Sequence, residues 1–420
     1  FFEEGFKDKL LAEFDNLEKL INGFLINSDN IHALNLLNTK FEQKIKLIHI
    51  DPPYNTATSG FLYKNSFQHS SWISMMDNRI NSSIPMLEDT GIYMVHIDEN
   101  EYENLFKLFS NFPLNNSGTI IWDKRNPMNG GSGIATQHEY TICFTNGQFM
   151  IVKRNKTIAT ILSKVEELKA KYNGVNDLVR KDFVTWLNSN NELSGGETAY
   201  RHIDNEGNVY RGISLRAPEP RKDPKFHQPL IHPVTGKPCA MPPNGFSRTP
   251  ETLSQMILNG EILFGEDETT QPQQKKVLSM DAERQFSSMI QDAKKGKYYT
   301  DQLGLEFPYC HPISLYEDLI GLDNIKPNDF ILDYFAGSGT TGHAVINLNR
   351  EDAFNRKYIL IEMGSYFSSV TKPRIEKVIY SDNWKNGKPQ DKNGISQIVK
   401  YQVLESYEDT LNNLYLENKT

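Results

Sequence analysis

Cysteine is scarce in this chain: Cys143, Cys239 and Cys310 are the only three among 420 residues. They lie far apart and form no C-x-x-C pair, which excludes a disulfide framework and a zinc module and favours a reducing, cytoplasmic setting. No metal site is expected. Long apolar runs are lacking too, since nothing approaches the roughly 20 residues of a membrane span. Phe1-Phe2-Glu3-Glu4 shows none of the basic start and apolar stretch of a secretory signal, so a soluble protein without a membrane partner is expected. Positive charge is in deficit, with 45 Lys plus Arg against 53 Asp plus Glu and a formal net charge of -8. That excludes a generally cationic scaffold and confines any contact with a polyanion to a local patch. The 38% of apolar residues suffices for a sizeable core in two or three domains of about 100 to 200 residues.

The first part of the chain alternates strands and helices. Phe24 to Ile26 reads as a strand, Asp29 as a cap, and Ile31 to Leu37 as a helix. Ile45 to Ile50 is rich in β-branched residues and stops at Asp51-Pro52-Pro53, where prolines remove ladder donors. A buried strand therefore delivers Asp51 at its carboxyl end. The pattern next predicts a helix from Trp72 to Leu87, a strand from Ile92 to Ile97, and a helix capped by Asp98 and running through Phe109. Strands are expected at Thr119 to Trp122 and Tyr140 to Phe144. After Pro312 the alternation resumes with a helix at Ser314 to Leu322 and a strand at Phe330 to Asp333. A Gly-rich turn, a helix from Thr340 to Leu348 and a strand at Tyr358 to Glu362 follow. Such units predict an α/β fold with a mostly parallel, doubly wound sheet and ligands outside the carboxyl ends of its strands.

The stretch between differs. A Lys-rich helix (Thr157 to Tyr172) opens a segment with many Pro, Gly and basic residues. Residues 201–250 hold eight Lys or Arg and four Asp or Glu, an excess of +4 in an acidic chain. The expected organisation is residues 20–150 and 308–380 as two halves of one domain, 151–307 as an insertion, and 381–420 as a polar tail.

Two motifs carry chemistry. Asp333 to Gly342 (DYFAGSGTTG) follows a strand and opens a helix, so its glycines permit close ligand approach and the helix start offers free amides. The next strand ends about twenty residues on at Glu362, which is placed to accept from ribose hydroxyls. An adenosine-bearing cofactor is implied. Read literally, the turn is also a G-x-G-x-x-G, which leaves a nicotinamide-dependent oxidoreductase open. Asp51-Pro52-Pro53-Tyr54 arbitrates. The amine of a nucleobase is a poor nucleophile until acceptors hold its hydrogens; Asp51 and the Pro52 carbonyl, stiffened by Pro53, would supply them, and Tyr54 an aromatic face for a base swung out of the duplex.

Together, Asp51-Pro52-Pro53-Tyr54 and Phe335-Ala336-Gly337-Ser338-Gly339-Thr340-Thr341 resemble the DNA amino-methyltransferases that use S-adenosylmethionine. The order of the motifs, catalytic before cofactor with a long insertion between, is similar to the β class of N6-adenine methyltransferases. The likeness extends to the modification (Mod) subunits of type III restriction-modification systems through Asn27-Ser28-Asp29-Asn30, Lys46 to Thr56, Val95 to Glu101, Pro233 to Lys237 and Pro242 to Gly245. It covers about residues 20–365 and implies a Rossmann-like methyltransferase fold. It makes Asp51, Pro52, Pro53 and Tyr54 catalytic, and 20–150 the catalytic half. Residues 308–380 become the cofactor half, in which Asp333, Phe335, Gly337, Ser338, Gly339 and Glu362 meet S-adenosylmethionine, joined by Asp29 and Asp51. His311-Pro312 stands where the family usually has Lys-Pro; His311 would either donate to the cofactor carboxylate or merely pack at a helix start. Asn55 to Ser71, with Phe61, Tyr63 and Phe67, would be a loop over the site.

The resemblance implies N6-adenine methylation of double-stranded DNA, with N4-cytosine methylation or a recognition subunit of a restriction complex as alternatives. Asp rather than Ser at position 51 favours adenine. The insertion becomes a target-recognition domain in which Arg211, Arg216, Arg221, Lys222 and Lys225 contact DNA. A homodimer and a restriction (Res) partner are further expectations.

Overall fold

The computed structural model describes residues 5–56, 67–125, 134–153, 156–190, 193, 195–279 and 285–405. The chain divides into two units, Phe1–Arg154 with Gln285–Thr420, and Asn155–Arg284. Residues 285–307, grouped with the insertion on composition, thus belong to the outer unit.

Among the described residues, the outer unit contains a nine-stranded sheet. In chain order its strands are β1 (Ile21–Asn27), β2 (Ile45–Ile50), β3 (Leu87–Ile97), β4 (Asn115–Asp123), β5 (His138–Thr145), β6 (Met289–Gln291), β7 (Phe330–Asp333), β8 (Lys357–Glu362) and β9 (Ile398–Val403). They lie in the order β6-β4-β5-β3-β2-β7-β8-β1-β9. Every pairing is parallel except the two made by β5, which runs against β3 and β4. The fold is α/β with a largely parallel central sheet, as the alternating pattern implies.

All six residues of β2 are buried, because helices cover both faces of the sheet. On one face, helices α1 (Asn30–Phe41), α2 (His69–Ser83) and α3 (Tyr102–Phe109) pack on Ile48, Tyr93, Val95 and Ile359. On the other, α4 (Ile313–Ile320), α5 (Thr340–Asp352) and α6 (Thr371–Tyr380) pack on Leu47, Ile92, Met94 and Leu360. The period of two along each strand sends neighbouring residues to opposite cores. Leu332 of β7 lies beside Ile48 of β2, so strands far apart in sequence end side by side. That adjacency brings Asp51 to the turn after Asp333.

Three expected elements differ. The helix begun at Trp72 ends at Ser83 because Pro85 cannot donate its backbone bond; a short 3₁₀ turn follows and β3 starts at Leu87. Asp98 does not cap α3, whose N-cap is Glu101; the Asp98 carboxylate instead accepts from the Asn100 backbone N–H at 3.0 Å. The tail is not featureless, since β9 extends the sheet edge beside β1.

The inserted unit has its own cores. Its helices Lys156–Tyr172 and Asp177–Ser189 bury Ile161, Val165, Val179 and Phe183. A four-stranded antiparallel sheet is built on Val209–Ser214 and Gln273–Val277. A second cluster joins Leu215, Phe246, Leu253 and Met256.

Candidate active site

The Asp51–Tyr54 segment leaves β2 at the carboxyl edge of the sheet and is pinned on both sides. The Trp72 indole N–H donates to the Pro53 carbonyl at 2.7 Å. Asn55, next in sequence, holds a left-handed backbone (φ 60°), a conformation Asn tolerates better than most residues. Its amide donates to Glu101 at 2.6 Å and to the Phe67 carbonyl at 3.0 Å, while the Phe67 N–H donates back at 2.6 Å. Glu101, fully buried, is further satisfied by His69 and Asn104, each at 2.7 Å. The pair Asn55–Glu101 thus fixes the exit of the motif. Of the expected aromatic loop, Phe67 lies in the cavity wall, whereas Phe61 and Tyr63 fall outside the described residues.

The glycine turn sits against the neighbouring strand end. Gly337 has φ 51° and Gly339 φ 85°. A Cβ on Gly337 would meet nothing nearer than the Phe335 carbonyl at 3.9 Å, so that backbone is bare toward the cavity. The Gly337 N–H donates to the Glu362 carboxylate at 2.8 Å and the Gly364 N–H at 2.7 Å. Burial raises the Glu362 pKa, and these backbone donors oppose the shift. Asp333 points into the turn: it accepts from the Phe335 N–H at 3.0 Å and the Thr341 hydroxyl at 2.6 Å, and burial pushes it up to about 7. Asp29 caps α1 through the Ile31 N–H at 2.9 Å and lies 3.6 Å from Arg79.

His311 bridges two carboxylates. Its Nδ1 is 3.1 Å from Asp51 and its Nε2 2.8 Å from Glu139. Tyr54 donates its hydroxyl to Glu139 at 3.1 Å, and Lys124 completes that carboxylate at 2.8 Å. Burial by itself favours a neutral ring; Asp51 and Glu139 override it and lift His311 to about 10. Burial likewise works against the Glu139 anion, yet His311 and Lys124 hold its pKa at about 2. For Tyr54, burial followed by the charges of Asp51 and Glu139 drives the phenol well above its ordinary value of 10.

These groups surround one cavity of about 850 Å³, within the size range of small-ligand sites. Asp29, Asp51, Pro53, Tyr54, His311, Phe335, Gly337, Ser338 and Glu362 line it. Pro52, Pro312, Asp333 and Gly339 are neighbours in sequence of these lining residues and are not themselves in the lining. One end offers an acceptor carboxylate and bare backbone, suited to hydroxyls and a flat ring; the other offers Asp51 beside Tyr54. Glu139 and Lys124, which organise that second end, were not singled out in the sequence. Glu139 was visible only as a charge just ahead of the strand expected at Tyr140 to Phe144. Among the described residues no His, Cys, Asp or Glu cluster could hold a metal ion, and no helix is long and apolar enough to cross a membrane.

Of the basic residues of the inserted unit, Arg216, Arg221, Lys222 and Lys225 are exposed. Arg211 packs over Tyr200 and Arg221 over Phe226, each at 4.9 Å, and Lys225 pairs with Asp223 at 3.0 Å.

Known proteins are similar to this chain in sequence. A family model described as DNA methylase, that of the N6/N4 methyltransferases, matches residues 45–373. The EcoP15I Mod subunit of a type III restriction-modification enzyme from Escherichia coli is 29% identical over 383 residues, 81% of this chain and 58% of that protein. The StyLTI Mod subunit from Salmonella typhimurium is 24% identical over 404 residues, 86% and 55% of the two chains. The type II methyltransferase M.KpnI from Klebsiella pneumoniae is 25% identical over 382 residues, 84% of each. The chain therefore spans a little over half the length of these two Mod subunits. The family match takes in both motifs and the strands that present them, and the chain belongs to the N6/N4 DNA methylase family.

Proposed function

We propose that the chain transfers a methyl group from S-adenosylmethionine to N6 of an adenine swung out of double-stranded DNA, as the modification component of a restriction-modification system. The observation that carries this reading is one cavity lined at one end by Phe335, Gly337 and Glu362 and at the other by Asp51 and Tyr54. Glu362, its carboxylate oriented by the Gly337 and Gly364 N–H groups, lines the cavity as an acceptor for ribose hydroxyls, and the bare Gly337 backbone admits close approach. Bound there, S-adenosylmethionine would supply the electrophilic methyl group. Membership of the family and the names of the Mod relatives support the reading.

The residues divide the work. Asp51 and the Pro52 carbonyl accept the two amine hydrogens and turn the nitrogen lone pair toward the methyl group. The Pro52 carbonyl has no donor among the described residues, whereas the Pro53 carbonyl is taken by Trp72. Tyr54, its hydroxyl held by Glu139, offers its ring to the extruded base. His311, held as the imidazolium, has no lone pair with which to take a proton at neutral pH. It is a positioning residue that fixes Asp51 rather than a general base, and Asp51 is the group placed to receive the proton released by the methylated amine. Arg216, Arg221 and Lys222 of the inserted unit would contact DNA, and a homodimer with a Res partner follows from the Mod likeness alone.

The test is Asp51→Ala. Removing an acceptor needed mainly in the transition state should slow single-turnover methylation of duplex DNA by roughly a hundredfold or more while DNA affinity stays near wild type. Undiminished methylation by that variant would overturn the assignment.

A further inference from the structure

The floor of the cavity is acidic, with Asp29, Asp51, Glu139 and Glu362 in its wall, which is a poor surface for a polyanion. Its inner cations are already committed: Arg79 lies 3.6 Å from Asp29, and Lys124 pairs with Glu139 at 2.8 Å. His311 is shared between two carboxylates. At the rim, Lys294, Lys295 and Lys297 also line the cavity. All three are exposed, and none has an ion-pair partner among the described residues.

The loop that carries them is fixed in place. The Asp292 N–H donates to the Asp123 carbonyl at 3.2 Å, and the Trp122 indole donates to the Asp292 carbonyl at 3.0 Å. The Asp292 carboxylate accepts from the Lys294 N–H at 2.9 Å and from the Ser314 hydroxyl. Gly296 is buried against the segment that bears His311, so closely that a Cβ there would overlap the carbonyl oxygens of Cys310 and His311. The backbone is thus clamped between β4 and the His311 segment while the three ammonium groups face solvent.

The geometry points to residues 292–297 as a phosphate clamp: Lys294, Lys295 and Lys297 hold backbone phosphates of the DNA strand whose base enters the cavity. The inference rests on the methyltransferase reading above and adds to it a DNA-contact surface within the outer unit, separate from the arginines of the insertion. Neutralising phosphates next to the extrusion point would offset the repulsion of the acidic floor, and a rigid loop loses little entropy on binding.

The experiment measures binding of a fluorescently labelled mixed-sequence DNA duplex by anisotropy as KCl is raised. In the variant carrying Lys294→Ala, Lys295→Ala and Lys297→Ala, affinity at moderate salt should fall by about tenfold or more. The slope of log affinity against log salt should shrink by about two to three units, at roughly 0.9 for each phosphate no longer neutralised. The matching triple Lys→Arg variant should keep the wild-type slope, and S-adenosylmethionine binding by calorimetry should be retained by both. If wild type binds the duplex and the alanine variant keeps its slope and affinity, the clamp is refuted while the methyltransferase reading stands. If wild type binds no duplex at all, both fall together.

Discussion

His311 offers the sharpest stability test. Its ring is only 10% exposed and lies 3.1 Å from Asp51 and 2.8 Å from Glu139. Its ordinary value is 6.5, and Asp51 and Glu139 lift it to about 10 in the folded protein. A folded pKa raised in this way contributes stability that is fully present below pH 6.5 and is lost as pH climbs through 10. Within that window stability should fall by up to about 1.4 kcal/mol per pH unit. Across the whole window the loss is on the order of 3 to 5 kcal/mol. Glu139, held at about 2, loses its contribution only at strongly acid pH and does not disturb the measurement. His311→Gln keeps a donor but removes the charge. It leaves Asp51 without a cation and Glu139 with Lys124 alone, and should lower stability at neutral pH by about 3 kcal/mol. Urea unfolding from pH 6 to pH 9.5 would follow both effects. His311→Lys, with a charge that persists across this range, should give a flatter profile than wild type. A wild-type profile flat from pH 7 to 9.5, or a Gln variant with the same slope as wild type, would refute the claim that the ring is held as a cation between two carboxylates.

Gly337→Val forces a β-branched residue into φ 51° and projects a side chain into the cavity; it should cost about 1 to 2 kcal/mol in stability and abolish S-adenosylmethionine binding by calorimetry, and wild-type affinity would contradict the placement of the cofactor. Replacing Arg216, Arg221 and Lys222 by Ala should weaken DNA binding and lower the salt slope by about 0.9 for each phosphate left without its cation; an unchanged slope would move recognition away from that surface.

The strand Ile45–Ile50 and its Pro-Pro end were legible because six consecutive residues suit a strand buried on both faces, and β2 occupies those six positions. The glycine turn was legible because a positive φ and a bare backbone leave few alternatives to Gly. The partners that tune the site were not. Glu139 reaches His311 only because β5 runs antiparallel beside β3, and no local pattern encodes that reversal. His311 stood out as a departure from Lys-Pro, but its two carboxylate partners come from residues 51 and 139, and periodicity carries no such long-range pairing. The edge strand β9 was missed because an edge strand needs only partial burial: Ile398–Val403 alternates weakly and includes Lys400 and Gln402. Asp98 fits a helix cap by residue type, but its side chain closes a local turn to Asn100 and the helix begins a few residues later.

The central proposal is that Asp51, Pro52 and Tyr54 serve methyl transfer to N6 of adenine. Unmethylated duplex DNA incubated with the chain and isotopically labelled S-adenosylmethionine, then digested to nucleosides and resolved by mass spectrometry, tests it directly. Label is expected in N6-methyladenine, and only when Asp51 is intact. Label confined to N4-methylcytosine, or no label while DNA and S-adenosylmethionine are both bound, would contradict it.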